Sequence, residues 1–186
     1  MERLILRTVK VGPDPRISVD YYGKGETVFL LHGIGGNKRN WDDNVVEIAK
    51  THKVIAWDAR GYGASDDYEG PFKFSDAADD LLKVLDYFEC KKTHLIGLSM
   101  GGILAMEIIK KASERVMKIV LMDTNYKSET SEIKSKRLPQ INLVNEGRLE
   151  EVMKKQIEHN YLRKGIENKK IKDLCLSMAN DLGGDI

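Results

Sequence analysis

Several residue types and patterns are scarce in this sequence, and each scarcity argues against a class of protein. Cysteine occurs twice, at Cys90 and Cys175, without a metal-binding spacing, and we expect buried free thiols in a reducing compartment. The net charge of +1 leaves no basic excess for nucleic acid. No apolar run approaches the ~20 residues of a membrane span. The N-terminal stretch Met1-Glu2-Arg3-Leu4-Ile5-Leu6-Arg7 is interrupted by charge too soon for a signal peptide. We therefore expect a cytoplasmic protein without nucleic-acid or membrane partners.

Short apolar runs alternate with helical patterns through the first two thirds of the chain. Continuous apolar runs of this kind are typical of strands covered on both faces, as in a parallel sheet. An initial pair of strands is separated by turn residues and predicts an antiparallel hairpin. The pattern predicts strands over 3–11, 16–22, 27–31, 53–57, 93–98 and 118–123, and helices over 40–50, 77–88 and 103–111. The expected fold class is α/β, with a mostly parallel sheet built from right-handed βαβ units.

The alternation stops at Asp123, and no convincing strand pattern follows it. Polar helical segments occupy roughly 130–145, 148–161 and 168–179 instead. The change of pattern predicts two regions, a sheet-containing core over 1–124 and a helical segment over 125–186. We also expect Ser75 or Asp76 to cap the helix that starts near residue 77.

The organising stretch of the sequence is Gly97-Leu98-Ser99-Met100-Gly101, which lies between a predicted strand and a predicted helix. It fits the Gly-x-Ser-x-Gly nucleophile elbow, in which a serine on a strained turn presents its hydroxyl beyond the sheet edge. Glycines on either side remove side chains that would block close approach of strand and helix. The bare pentapeptide is also compatible with an ordinary glycine-rich turn, but the strand–turn–helix setting favours the nucleophile.

Two further loops follow predicted strands, and together with the elbow they resemble the α/β-hydrolase family. His32-Gly33-Ile34-Gly35-Gly36 is similar to the family's oxyanion loop, and Asp58-Ala59-Arg60-Gly61-Tyr62-Gly63-Ala64-Ser65 to its Asp-x-Arg-Gly-x-Gly-x-Ser loop. By motif, the nearest subfamily resembles the 3-oxoadipate enol-lactonase-like esterases and lactonases. Residues 125–186 resemble the family's helical cap.

The resemblance implies a role for each matching residue. Ser99 is the expected nucleophile, and the backbone N–H groups of Ile34 and Met100 form the expected oxyanion hole. His32, Gly33, Gly97 and Gly101 are expected to shape the site loops. The implied substrate is a small carboxylic ester or lactone, attacked to give an acyl-enzyme. No metal or organic cofactor is implied.

The family's triad acid and histidine follow its seventh and eighth strands, which this sequence does not contain. We therefore expect a chain truncated before those strands, with little activity by itself. Four histidines are present. His32 is expected to hold loop geometry, His52 and His94 open strands far from Ser99, and His159 lies on a polar helix. Asp123 is a candidate acid, although an orienting role in its loop is favoured.

Other functions stay open at this point. Carbon–carbon bond hydrolases and cofactor-free haloperoxidases share much of the motif pattern. A non-catalytic binding module and an inactive fragment are the alternatives outside enzyme catalysis.

Without a seventh strand, the apolar run over 119–122 becomes a sheet edge, which predicts self-association or pairing with a complementing chain.

Overall fold

The computed structural model describes residues 6–127, 130–162 and 169–181, and gives backbone alone for residues 158–162. The chain divides into two compact units, Met1–Asn125 and Tyr126–Ile186.

The first unit is built on a sheet of six strands in the spatial order β1-β2-β4-β3-β5-β6. Antiparallel pairing joins β1 to β2 and β2 to β4, whereas β3, β4, β5 and β6 pair in parallel. The strands are β1 Arg7–Val11, β2 Ile17–Tyr22, β3 Thr27–Leu31, β4 Lys53–Trp57, β5 Thr93–Leu98 and β6 Val116–Met122. This confirms the α/β class and the mostly parallel sheet with an N-terminal antiparallel hairpin.

Helices cover both faces of the sheet, which explains why β3 after Thr27 and β4 after Lys53 are apolar. Phe29 and Leu31 of β3 face one core together with the helices α2 (Phe74–Tyr87) and α3 (Met100–Ala112). Val28 and Leu30 face the opposite core. There they pack with residues of a 3-10 turn (Lys38–Trp41) and of α1 (Asp42–Ile48).

Several element boundaries differ from the sequence predictions. Helix α2 begins at Phe74 after an extended Lys73, so the predicted caps at Ser75 and Asp76 are wrong. The Ser75 hydroxyl instead donates to the Asp76 carboxylate at 3.1 Å. Phe74 packs partly buried against the core, which favours its place in the first helical turn. Strand β1 begins at Arg7, and residues 3–5 of the prediction lie outside the described part.

Strand β6 lies at one end of the sheet, and its solvent exposure is unusual for an apolar strand. Val120, Leu121 and Met122 are 49%, 45% and 42% exposed. Over the described residues, β6 pairs with β5 alone, so its other edge carries no strand. Exposed apolar edges of this kind are templates for pairing with a further strand.

The described part of the second unit contains three helices. They are α4 Ser131–Asn145, α5 Leu149–Leu162 and α6 Lys169–Asn180. Helix α5 packs against both α4 and α6. The Thr130 hydroxyl caps α4 by accepting from the Ile133 N–H at 3.3 Å. Within the described residues, every helix is too short or too polar to cross a lipid bilayer.

Candidate functional site

Ser99 occupies the single-residue turn between the end of β5 and the start of α3. Its backbone has φ 50° and ψ −110°, which is a strained conformation for a residue with a side chain. The Ser99 N–H donates to the Met122 carbonyl oxygen at 2.8 Å, which ties the turn to β6. The Ser99 carbonyl oxygen accepts from the N–H groups of Gly102 at 3.0 Å and Ile103 at 3.2 Å. Both neighbouring elements therefore hold the strained turn in place.

The Ser99 hydroxyl is available for chemistry. The side chain is half-buried and makes no capping hydrogen bond to α3. Over residues 6–127, no hydrogen bond of any kind involves this hydroxyl. The turn therefore uses the backbone of Ser99 for its own stability and leaves the oxygen unengaged.

Glycines at 97 and 101 permit the close packing that creates this turn. A Cβ at Gly97 would lie 2.5 Å from the carbonyl group of Gly101, so strand and helix are in contact at this point. A Cβ at Gly101 would overlap the Leu31 carbonyl oxygen and lie 2.8 Å from that of His32. Side chains at either position would push α3 away from β5 and β3.

The loop after β3 lies directly against Ser99. A Cβ at Gly33 would approach the Ser99 Cβ to 3.4 Å. The Gly36 N–H closes this loop by donating to the Gly33 carbonyl oxygen at 3.1 Å. The Ile34 side chain is 60% exposed, whereas that of Met100 is buried. Among the hydrogen bonds of the described residues, the N–H groups of Ile34 and Met100 act as donors in none. Both remain free to donate to a ligand.

His32 joins the β3 loop to the β4 loop through both of its ring nitrogens. Nδ1 lies 2.9 Å from the Gly33 carbonyl oxygen, which can only accept, so Nδ1 carries the proton. Nε2 accepts from the Ala59 N–H at 3.0 Å. Burial lowers the pKa of His32, against smaller opposing effects of the Gly33 bond and of Asp58. The imidazole is therefore neutral and committed to loop geometry.

The β4 loop is fixed by the carboxylate of Asp58. Its oxygens accept from the backbone N–H groups of Lys38 at 2.8 Å and Ala64 at 3.0 Å. The Lys38 ammonium lies 3.2 Å from the same carboxylate. Arg60 pairs instead with the fully buried Asp80 at 2.6 Å. Asp58 thus joins Ala64 of its own loop to Lys38 of the 3-10 turn, and Arg60 joins the loop to Asp80 of α2.

Two residues that sequence reasoning missed also contact the turn. Thr124 donates its hydroxyl to the carbonyl oxygens of Ser99 and Met122, at 3.3 and 3.1 Å. The Tyr62 hydroxyl lies 3.6 Å from the Met100 sulfur, and burial raises the Tyr62 pKa to about 12. The positions of Thr124 and Tyr62 in the sequence could have indicated these contacts, because residues that follow neighbouring parallel strands meet at one edge of the sheet.

The remaining candidates lie elsewhere or pack in cores. His52 and His94 lie at the amino ends of β4 and β5, opposite the Ser99 end of the sheet. The side chain of His159 lies outside the described part. Trp41 is buried in the core that packs against α1. Asp123 follows β6 with a positive φ of 47°. Neither Cys90 nor Cys175 forms a disulfide, and both are half-buried, so the expectation of buried thiols is wrong.

Ser99 lies on a strained strand–helix turn at the carboxyl edge of a mostly parallel sheet. In α/β proteins, the loops at this edge form the functional site. The family model described as alpha/beta hydrolase fold matches residues 26–156, and the chain belongs to that family.

The chain is also similar to individual curated proteins and to solved structures. The chain is 38% identical over 125 residues to the 2-hydroxy-6-oxononadienedioate/2-hydroxy-6-oxononatrienedioate hydrolase of Escherichia coli strain K12, covering 63% of this chain and 43% of that protein. Among solved structures, a thermophilic esterase from Thermogutta terrifontis has a TM-score of 0.81 at 23% identity, with 97% and 68% coverage. Est816, described as an N-acyl homoserine lactone degrading enzyme, has a TM-score of 0.78 at 23% identity, with 92% and 65% coverage. The two structures share the fold. The chain spans less than half the length of curated relatives that it matches.

Proposed function

We propose that Ser99 is the nucleophile of a serine hydrolase that cleaves a small carboxylic ester or lactone through an acyl-enzyme. The observation that carries the proposal is the unengaged hydroxyl on a positive-φ turn held by β6 and α3. Strain of this kind is retained in a fold where the surrounding structure enforces it, and it concentrates at functional sites. The esterase and lactone-degrading structures with the same fold support this substrate class.

In the proposed reaction, the Ser99 oxygen attacks the substrate carbonyl carbon and loses its proton to a base. The carbonyl oxygen becomes an oxyanion, which accepts from the free N–H groups of Ile34 and Met100. Loss of one such donor typically lowers the rate by about 10²–10³-fold. Collapse of this intermediate breaks the ester C–O bond, and the alcohol leaves with a proton. Water then attacks the acyl-enzyme and releases the acid. No step in this scheme uses a metal or an organic cofactor.

The proposed base is a histidine outside the described side chains. Both nitrogens of His32 are occupied, and its pKa is lowered by burial. His52 and His94 lie at the other end of the sheet. A serine hydroxyl without a base is a weak nucleophile, so we expect little activity from these 186 residues alone.

The test uses the full-length protein, p-nitrophenyl acetate and a fluorophosphonate that labels activated serines. We expect turnover and a mass increase on the peptide that contains Ser99. The Ser99→Ala variant should lose both, while Ser65→Ala serves as the matched control, because the Ser65 hydroxyl is bonded to the Asp58 carbonyl oxygen at 2.6 Å. Equal labelling of wild type and Ser99→Ala would refute the nucleophile. Absence of turnover and labelling in the wild type would favour a binding module.

A second candidate is carbon–carbon bond hydrolysis, because the Escherichia coli relative is 38% identical and hydrolyses a 2-hydroxy-6-oxo dienedioate by name. The same serine and amides would serve it. Comparison of kcat/KM for an aryl ester and a 2-hydroxy-6-oxo-dienoate separates the two. A higher value for the dienoate would displace the ester assignment.

We propose further that residues 125–186 form the cap that selects substrate, while residues 1–124 form the core. The support is the division of the chain at Asn125 and the described part of the second unit, in which every regular element is a helix. Substitutions in the cap should then change relative kcat/KM between esters without preventing labelling of Ser99. A cytoplasmic location, supported by two cysteines that form no disulfide, is tested by cell fractionation.

A further inference from the structure

Three side chains that ligate metals meet at the amino end of the sheet, away from Ser99. Glu26 directly precedes β3, His52 directly precedes β4, and His94 is the second residue of β5. Because β3 lies between β4 and β5, the parallel pairing places Glu26 between the two histidines. Each of the three offers one ligand atom, and these atoms all lie within 4.8 Å of one another.

Strand alternation directs the three side chains to the same face. The neighbouring residues Thr27, Lys53 and Thr93 pair across the strands in one register. Lys53 points to the opposite face, where its ammonium lies 4.4 Å above the Phe88 ring. Side chains one residue away along each strand point to the other side of the sheet. The charged Lys53 ammonium therefore lies on the face of the sheet opposite to Glu26, His52 and His94.

One distance within the cluster matches the spacing of ligand atoms around a metal ion. His94 Nε2 lies 3.3 Å from a Glu26 carboxylate oxygen. Ligand atoms about 2.0–2.1 Å from a tetrahedral Zn²⁺ stand roughly 3.3 Å apart. The His52 and His94 rings meet edge to face, with centroids 6.0 Å apart.

A neighbouring hydroxyl orients one of the histidines. The Thr51 hydroxyl donates to the Ile48 carbonyl oxygen at 3.5 Å and lies 2.7 Å from His52 Nδ1. In the tautomer in which this hydroxyl accepts from Nδ1–H, the lone pair of His52 is on Nε2. Metal-binding histidines use this kind of second contact to fix their tautomer.

We propose that Glu26, His52 and His94 bind one divalent transition-metal ion, Zn²⁺ in the first instance, at the start of β3, β4 and β5. Two imidazoles and one carboxylate suit Zn²⁺ and its neighbours Co²⁺ and Ni²⁺ better than Mg²⁺ or Ca²⁺, which prefer oxygen ligands. With three protein ligands, a fourth position is left to water. The bound ion links three strand starts, so its effect is on stability.

The test is titration of tag-free, metal-free, full-length protein with ZnCl₂ in a calorimeter. We expect one ion bound per chain with a micromolar dissociation constant, and a higher Tm with Zn²⁺ but not with Mg²⁺. The variants His52→Gln and Glu26→Gln should each weaken Zn²⁺ binding at least about tenfold. Glu69→Gln, which removes an exposed carboxylate elsewhere, should bind as the wild type does. Co²⁺ should give visible absorption bands that His52→Gln abolishes.

His94 is half-buried, and replacement of a buried side chain affects folding, so the test relies on the more exposed Glu26 and on His52. Circular dichroism of the metal-free variants verifies that they fold. Unchanged Zn²⁺ affinity in either variant, or no binding to wild type at millimolar Zn²⁺, overturns the proposal. The measurement needs no substrate, so its result is independent of the role assigned to Ser99.

Discussion

The Nε2 atom of His32 accepts a hydrogen bond from the Ala59 N–H at 3.0 Å, and this bond couples the loop after β3 to the loop after β4. The ring is fully buried and neutral, and burial lowers its pKa below the ordinary 6.5. In the unfolded chain the imidazole recovers its ordinary pKa. Below that value the unfolded state therefore binds more protons than the folded state, and stability falls as pH falls.

Substitution of His32 by glutamine should remove this pH dependence. Glutamine can still accept from the Ala59 N–H, but it does not titrate. We expect the free energy of unfolding, from urea titrations between pH 7.5 and 5, to fall more for wild type than for His32→Gln. The other titrating groups are the same in wild type and in His32→Gln, so the difference between the two pH profiles reports on His32. Parallel pH profiles would contradict a neutral, buried His32.

Substitution of Gly97 by alanine should destabilise the turn at Ser99. The added Cβ would lie 2.5 Å from backbone atoms of Gly101, which cannot rotate away. Overpacking of this kind costs about 1–3 kcal/mol. The control is Gly70→Ala, where a positive φ of 79° adds backbone strain that Gly97 does not have, but nothing lies within 4 Å of the new Cβ. Urea unfolding should show the larger loss for Gly97→Ala, and fluorophosphonate labelling of Ser99 should fall only there.

Substitution of Arg60 by methionine should leave a buried charge without its main partner. The Asp80 side chain is fully buried, and Arg60 Nε donates to it at 2.6 Å. The remaining cation, Lys83 at 3.3 Å, is half-exposed. Removal of one partner of a buried pair costs about 3–5 kcal/mol. Lys136→Met, which breaks an exposed pair with Glu132, should cost about 0–1 kcal/mol. Similar losses for both variants in urea titrations would contradict this account.

The β6 edge predicts self-association of the 186-residue chain. Sedimentation velocity should show species larger than a monomer, which Val120→Lys should reduce because a charge at an edge opposes strand pairing. The matched control is Val46→Lys on α1, since Val46 and Val120 are both 49% exposed. A well-folded wild-type monomer, or equal effects of the two lysines, would count against pairing at this edge.

The alternation of apolar runs and helical patterns was sufficient to predict the sheet class, since β3 and β4 are buried on both faces and have no polar residue inside. Boundaries were less accurate, because packing of Phe74 decided where α2 begins and the Ser75 hydroxyl did not. Gly-x-Ser-x-Gly identified the turn at Ser99. The bond from His32 to Ala59 joins separate loops, and a single sequence contains no signal for such a contact. The meeting of Glu26, His52 and His94 likewise depends on strand order.

Trp41 and Trp57 are both buried, and they lie in the two separate cores on opposite faces of the sheet. They are also the chain's two tryptophans. Each face thus contains one intrinsic fluorophore. A Trp41→Phe protein reports by emission on the layer under α2 and α3 alone, and Trp57→Phe on the layer under α1, so loss of the two layers during denaturation can be followed independently without an attached dye.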